Sequence, residues 1–197
     1  MLLLVTAMVV PTLGWAQSTI TPSKPSTGNG SSDSPYQIST AAQLYWFAAL
    51  VNGDESVCTG DVTQNTSANA ILTANITVNT GVLNKSGSLN SGTFTAWTPI
   101  GNYTTGYYGT FDGNGKSISG LYFNDIKGIC VGLFGLNSGT IKNVTIVDSY
   151  LHGQQFIGGV CGYNLNEVTN CSYTGIVQGN ETETYAGGVS GCNAGKI

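Results

Sequence analysis

The chain has 197 residues, 41% of them apolar, which is enough for one domain with a core of its own. Only 8% are charged, arginine is absent, and the formal net charge is -4. Six scattered lysines do not form the cationic cluster that a phosphate backbone requires, so nucleic acid is excluded as a partner.

Residues 1–16 read as a secretory signal peptide: Leu2 to Leu13 is almost wholly apolar, and the small-residue stretch Leu13-Gly-Trp-Ala16 follows it. No later run reaches the ~20 apolar residues of a membrane helix, so no transmembrane segment is expected in the mature chain. Residues 17–35 are Ser, Thr, Pro and Gly with little to bury, the composition of a flexible leader. Order is expected from Tyr36, in an N-terminal helical cap and loop over 36–69. There Thr40-Ala-Ala-Gln43 is a capping box, Leu44, Phe47, Ala48 and Val51 form one apolar stripe, and Asn52-Gly53 ends the helix.

From residue 70 the period changes to two. Leu72, Ala74, Ile76 and Val78 face one way while Thr73, Asn75 and Thr77 face the other, as in a half-buried strand. Asp112-Gly-Asn-Gly115 reads as a tight turn with positive φ at its two glycines, leading into a strand through Ile118 to Phe123. As a calcium loop it fails, because Lys116 and Phe123 stand at the fifth and twelfth positions.

Three stretches then repeat one another: Gly132-Leu-Phe-Gly135 with Asn137, Gly159-Val-Cys-Gly162 with Asn164, and Gly188-Val-Ser-Gly191 with Asn193. The repeats run over about 132–158, 159–187 and a truncated 188–197. A period in this range marks a repeat architecture whose units bury their apolar sides only against neighbours. The expected fold is all-β, a right-handed parallel β-helix (solenoid) over 70–197 with the short N-terminal helix as its cap. Asn137, Asn164 and Asn193 share a column, as do Asn143 and Asn170, which suits either side-chain amide ladders or left-handed corners.

In this alignment Cys161 falls with Phe134 and Ser190, Cys192 with Leu136 and Tyr163, Cys171 with Val144, and Cys130 with Ile157 and Ala186. No two of Cys58, Cys130, Cys161, Cys171 and Cys192 share a column. Small buried hydrophobes and disulfides both remain open readings.

The glycine-bounded entry followed by Asn, Gly, Ile and Asn, clearest in Gly132-Leu-Phe-Gly135 with Asn137, Gly139, Ile141 and Asn143, resembles the GLUG repeat family. The upstream part resembles the segment that precedes such repeats in secreted proteins of the Bacteroides group. It shares a Pro-Tyr-x-Ile opening, a Leu-x-x-Phe-Ala helix, Trp-x-Pro-Ile-Gly and Gly-Thr-Phe-Asp-Gly-Asn-Gly, and it departs at Asn75, where Asp is usual. The resemblance covers about residues 35–197. It implies a non-catalytic scaffold or adhesion module of a secreted or cell-surface protein. Such repeats occur in adhesin-like chains and in the non-catalytic part of an immunoglobulin A protease family.

The rival reading is the remnant of a β-helix polysaccharide lyase or hydrolase. Asp112, Asp125 and Asp148 are the acids open to hydrolysis, and their columns do not coincide. His152 stands alone as a base and reads as a loop residue. No catalytic residue, metal ligand or cofactor is assigned. Tyr103, Tyr107, Tyr108 and Tyr122 lie in or beside Gly/Thr-rich turns, where exposed rings could stack on the sugars of a host or cell-surface glycan; a protein ligand is the other expected partner.

Overall fold

A computed structural model describes residues 20–60, 62–180 and 184–197; the expected signal peptide lies outside them, as does the start of the leader. The architecture is mostly β, with one short helix and open, parallel sheets. The chain opens with β1 (Tyr36–Ile38), α1 (Ala41–Asn52), β2 (Ala70–Leu72), β3 (Ile76–Thr77), β4 (Thr110–Ser119) and β5 (Tyr122–Asn124). It continues through β6 (Ile129–Val131), β7 (Phe134–Asn137), β8 (Thr140–Gly153), β9 (Gln155–Gly158) and β10 (Cys161–Asn164). It ends in β11 (Glu167–Thr169), β12 (Ser172–Gly179), β13 (Ala186–Gly187) and β14 (Ser190–Asn193).

Residues 20–35 are not a bare leader. Ser23 N–H donates to the Ala42 carbonyl, Gln37 N–H to Thr27, and Asn69 N–H to Gly30. A turn at Asn29–Ser34, with Gly30 at φ 83, tucks against the Tyr36 ring. Turn hydrogen bonds replace the apolar burial that the composition lacks.

Helix α1 begins where its cap dictates. Thr40 accepts from Gln43 N–H, and the Gln43 side chain reaches back to Ser39 N–H at 2.8 Å, one residue ahead of the usual partner. Gly53 at φ 73 closes the other end. Leu44, Phe47, Ala48 and Val51 are all buried, and Phe47 packs on Tyr107 and Phe111.

Equivalent strands lie side by side: β7, β10 and β14, one from each repeat, form one parallel sheet, and β6, β9 and β13 form another. Phe134 pairs with Cys161 and Cys161 with Ser190, in neighbouring strands. The large sheet joins β4, β8 and β12, with inward columns Ala70–Phe111–Ile141–Val168 and Ile76–Ile118–Ile146–Tyr173. Parallel ladders buried between layers require apolar inward residues, and these columns supply them.

The second glycine of each repeat has a steric cause. A Cβ on Gly162 would lie 2.6 Å from backbone atoms of Cys130, Val131 and Phe156, and one on Gly191 would lie 2.4 Å from Ile157 N. Backbone there packs directly on backbone, and only glycine permits it.

Three expectations need correction. Asp112-Gly-Asn-Gly115 lies inside β4 as a register shift opposite β8, and its positive φ falls on Asn114 (51) and Gly115 (69), not on both glycines. Cys130 lies opposite Phe156, between the pairs Ile129↔Gln155 and Val131↔Ile157, one residue away from its expected Ile157 column. The offset is 26 there and 27 at Phe134↔Cys161, because the extra residue is absorbed at the intervening glycine corner. His152 is not in a loop; it lies in β8 and pairs with Asn124.

The two asparagine columns differ. Asn137 Nδ2 donates to Asn164 Oδ1 at 2.8 Å and Asn164 Nδ2 to Asn193 Oδ1 at 2.7 Å, with Asn137 and Asn164 fully buried: an amide ladder. Asn143 (φ 57) and Asn170 (φ 51) are left-handed corners, and they are bonded to each other as well, at 2.8 Å.

Candidate functional site

All five cysteines are free thiols. Burial pushes Cys130 up to about 11 and raises Cys161, Cys171 and Cys58, so these are packing groups rather than nucleophiles. The acids are also spent on structure. Asp148 accepts from Leu83 N–H at 2.8 Å and from Val82 N–H, holding down the loop closed by the Leu83↔Leu89 bridge. Asp125 accepts from Lys127 N–H. Asp112 is desolvated, which works to raise it, but hydrogen bonds from Asn143 and Asn114 N–H and the Lys142 ammonium at 3.4 Å hold its carboxyl below the usual value. The cleft beside that pair, about 210 Å³, is smaller than the roughly 300–1,000 Å³ of typical small-molecule sites.

The four tyrosines do not form one site. Tyr103 and Tyr108 are exposed, Tyr103 on a turn whose Asn102 side chain accepts from Thr104 and Thr105 N–H. Tyr107 is a correction: it is fully buried, its hydroxyl donates to the Ala68 carbonyl at 2.9 Å, and its ring lies 5.0 Å from Phe134. Burial raises its phenol well above its ordinary value. Tyr107 pairs with Asn137 and so heads the buried amide column. The Gly/Thr-rich turn suggested exposure, but the ring turns inward onto Phe47 and Phe134.

Tyr122 does belong to a constructed surface. Pairing of β5 with β8 sets Tyr122 beside Tyr150 and Asn124 beside His152, while the alternate residue, Leu151, points into the core. The Tyr122 and Tyr150 rings stack at 5.9 Å and 24°, and Phe94 adds a third ring 5.2 Å from Tyr122. Around them runs an amide rim. The His152 ring nitrogens meet the side-chain oxygens of Asn124, at 2.8 Å, and of Asn180. The Tyr150 hydroxyl donates to Gln178 Oε1 at 3.0 Å, and Asn180 Nδ2 donates to the Ile126 carbonyl. Phe94 is carried by a loop pinned by Asn79, which bonds the Thr95 and Gly120 backbone, and Trp97 N–H donates to the Tyr122 carbonyl. The result is a stack of rings, Tyr150 buried and Tyr122 and Phe94 half-buried, edged by amide, hydroxyl and imidazole hydrogen-bonding groups, chemistry suited to a hydroxyl-rich ligand.

Tyr150, His152 and Asn180 were not expected as neighbours of Tyr122. The signal was present: a spacing of 28 separates Tyr122 from Tyr150, Asn124 from His152, and His152 from Asn180.

No family model matches the chain. It is 33% identical over 169 residues to halomucin of Haloquadratum walsbyi, covering 83% of this chain. It is 30% identical over 81 residues, 39% of this chain, to a candidate Gly-rich membrane protein of Evansella cellulosilytica. The chain spans 2% and 9% of the lengths of these two relatives. Among solved structures, a candidate immunoglobulin A1 protease from Bacteroides ovatus matches 82% of this chain and 48% of its own, with a TM-score of 0.51 and 21% identity, a likeness of fold alone.

Proposed function

We propose that this chain is a non-catalytic scaffold and adhesion module of a secreted or cell-surface protein. In this reading it is a right-handed parallel β-helix with GLUG-type repeats, capped by α1. The observation that carries it is the in-register pairing of successive repeats around a satisfied amide ladder, Asn137–Asn164–Asn193. Such a stack is stiff and extended and presents side chains at fixed intervals, which are the properties of a spacer or binding surface. Two relatives support the location, one being named a halomucin and the other a membrane protein. Among the described residues no helix is long and apolar enough to cross a membrane. Carbohydrate is the ligand class that suits the Tyr122–Tyr150 strip, since neutral amides and hydroxyls edge its rings.

A glycan array combined with a reducing-sugar release assay tests the reading. Retention of a glycan without turnover is the expected result. Release of reducing ends from any polysaccharide would replace it with the carbohydrate-active enzyme reading.

A further inference from the structure

Eight Asn-x-Ser/Thr triplets run through the chain, at Asn29, Asn65, Asn75, Asn84, Asn102, Asn143, Asn170 and Asn180. In a secreted or surface chain this triplet accepts an N-linked sugar when its carboxamide and the hydroxyl two residues on can be reached from solvent. The fold sorts the eight sharply.

Four of the carboxamides are spent on the framework. Asn75 Oδ1 accepts from Ser117 N–H at 3.0 Å, and Asn143 Nδ2 donates to Asp112 at 3.0 Å. Asn170 Nδ2 donates to Asn143 at 2.8 Å, and Asn180 Nδ2 to the Ile126 carbonyl at 3.1 Å. At Asn29 and Asn65 the middle of the triplet is packed away: Gly30 is buried against the Tyr36 ring, and the Thr66 carbonyl accepts from Tyr108 N–H.

Asn84-Lys-Ser86 and Asn102-Tyr-Thr104 differ, because all three residues of each triplet are exposed. Asn84 Oδ1 accepts from Ser86 N–H at 3.0 Å and from the Ser86 hydroxyl at 2.6 Å. Asn102 Oδ1 accepts from Thr104 N–H at 3.0 Å and from the Thr104 hydroxyl at 2.7 Å. Each is an Asx turn that closes on the hydroxyl of its own triplet. Holding the oxygen inside the turn puts the amide nitrogen on the outside, and among the described residues neither Nδ2 donates to another group. The backbone bonds of both asparagines also stay local, Asn84 N–H to Ser88 and Asn102 N–H to Thr105, so either turn opens without breaking a sheet.

We propose that Asn84 and Asn102 are N-linked glycan acceptor sites. The assignment rests on the secreted or surface location proposed above, and is independent of what the Tyr122–Tyr150 strip binds. In the transfer Nδ2 attacks C1 of a lipid-linked oligosaccharyl phosphate, and the new C–N bond replaces the C1–O bond. The lipid phosphate leaves with the electron pair, and the Nδ2 proton passes to a base of the transferase.

Mass mapping of the chain recovered from its own cells should find a sugar adduct on Asn84 and Asn102 and none on Asn75, Asn143 or Asn170. The folded chain, incubated with a single-subunit oligosaccharyltransferase that reads Asn-x-Ser/Thr and a lipid-linked oligosaccharide, should gain a glycan at both positions. Asn84→Gln or Ser86→Ala should abolish the first addition, and Asn102→Gln or Thr104→Ala the second, with Tm unchanged at these exposed turns. Bare Asn84 and Asn102 in the cell-derived chain would overturn the assignment. So would transfer to Asn143 or Asn170 of the folded chain at the same rate, or no transfer to the folded chain at all. A chain that carries both sugars yet retains nothing on the glycan array would overturn the adhesion reading alone.

Discussion

The two ends of the stack are held together differently. Near α1 the interior is bulky: Phe47, Tyr107, Phe111 and Phe134 meet ring to ring, and Trp97 donates its indole N–H to the Gly132 carbonyl. Toward the last repeat the same columns shrink. Phe134 gives way to Cys161 and then Ser190, and Tyr107 gives way to Asn137, Asn164 and Asn193. Apolar volume is replaced by amide ladders and by glycine-mediated backbone contact. Parallel pairing survives this change of chemistry because register is set by which residues fit each column, not by how much each one buries.

The largest effect should come from cutting into the bulky end. Phe134→Ala removes a fully buried ring that touches Tyr107 and Phe111, and should cost roughly 3–5 kcal/mol in urea unfolding. The equivalent change one repeat on, Cys161→Ala, should cost about 1–2 kcal/mol. A loss at Cys161 equal to that at Phe134 would break the contrast between the two ends.

Alkaline pH probes a buried thiol of the bulky end next. Burial raises the Cys130 thiol from 9.0 to about 11, so between these values the folded chain keeps a proton that the unfolded chain has lost. Its contribution is complete below about pH 9 and is lost as pH rises toward 11, amounting to about 2–3 kcal/mol. Unfolding midpoints measured from pH 7 to 11 should fall over that window, and Cys130→Ala should lessen the fall, leaving the part due to the other buried thiols.

Much of this was legible beforehand. The repeated Gly and Asn positions gave the register of β7, β10 and β14 directly, and the Thr40 to Gly53 punctuation gave α1. What the sequence hid were the single-residue register shifts at corners. Cys130, Asp148 and Phe156 hold left-handed conformations without being Gly or Asn, so nothing in their chemistry marked the corner, and the Cys130 column came out one residue off. The Tyr122 strip was hidden for a related reason: its spacing of 28 differs from the 27 and 29 of the glycine repeats, which drew the alignment away from it.

The amide ladder offers a sharper test of the thin end. Asn164→Ala deletes both the acceptor for Asn137 Nδ2 and the donor to Asn193 Oδ1 at a fully buried position. Leaving those groups short of partners should cost about 1–3 kcal/mol. Gly162→Ala should cost a similar amount, about 1–3 kcal/mol, since its Cβ meets backbone that cannot rotate away. Thermal melts of both variants should show the loss although neither removes an apolar side chain.

The smallest effect has the opposite sign and isolates the reason for the first glycine of each repeat. A Cβ on Gly159 would strike the Tyr173 ring at 2.1 Å and one on Gly132 would lie 2.7 Å from the Phe134 carbonyl oxygen, whereas one on Gly188 meets no atom within 4 Å. Gly188 also lacks a positive φ among the described glycines, so alanine fits its backbone. Replacing glycine at an unstrained site narrows the unfolded ensemble and stabilises by about 0.4–1 kcal/mol. Gly188→Ala should therefore raise Tm slightly while Gly159→Ala lowers it. If both variants lost stability alike, the motif glycines would be serving local backbone conformation, and the close packing around them would not be what requires them.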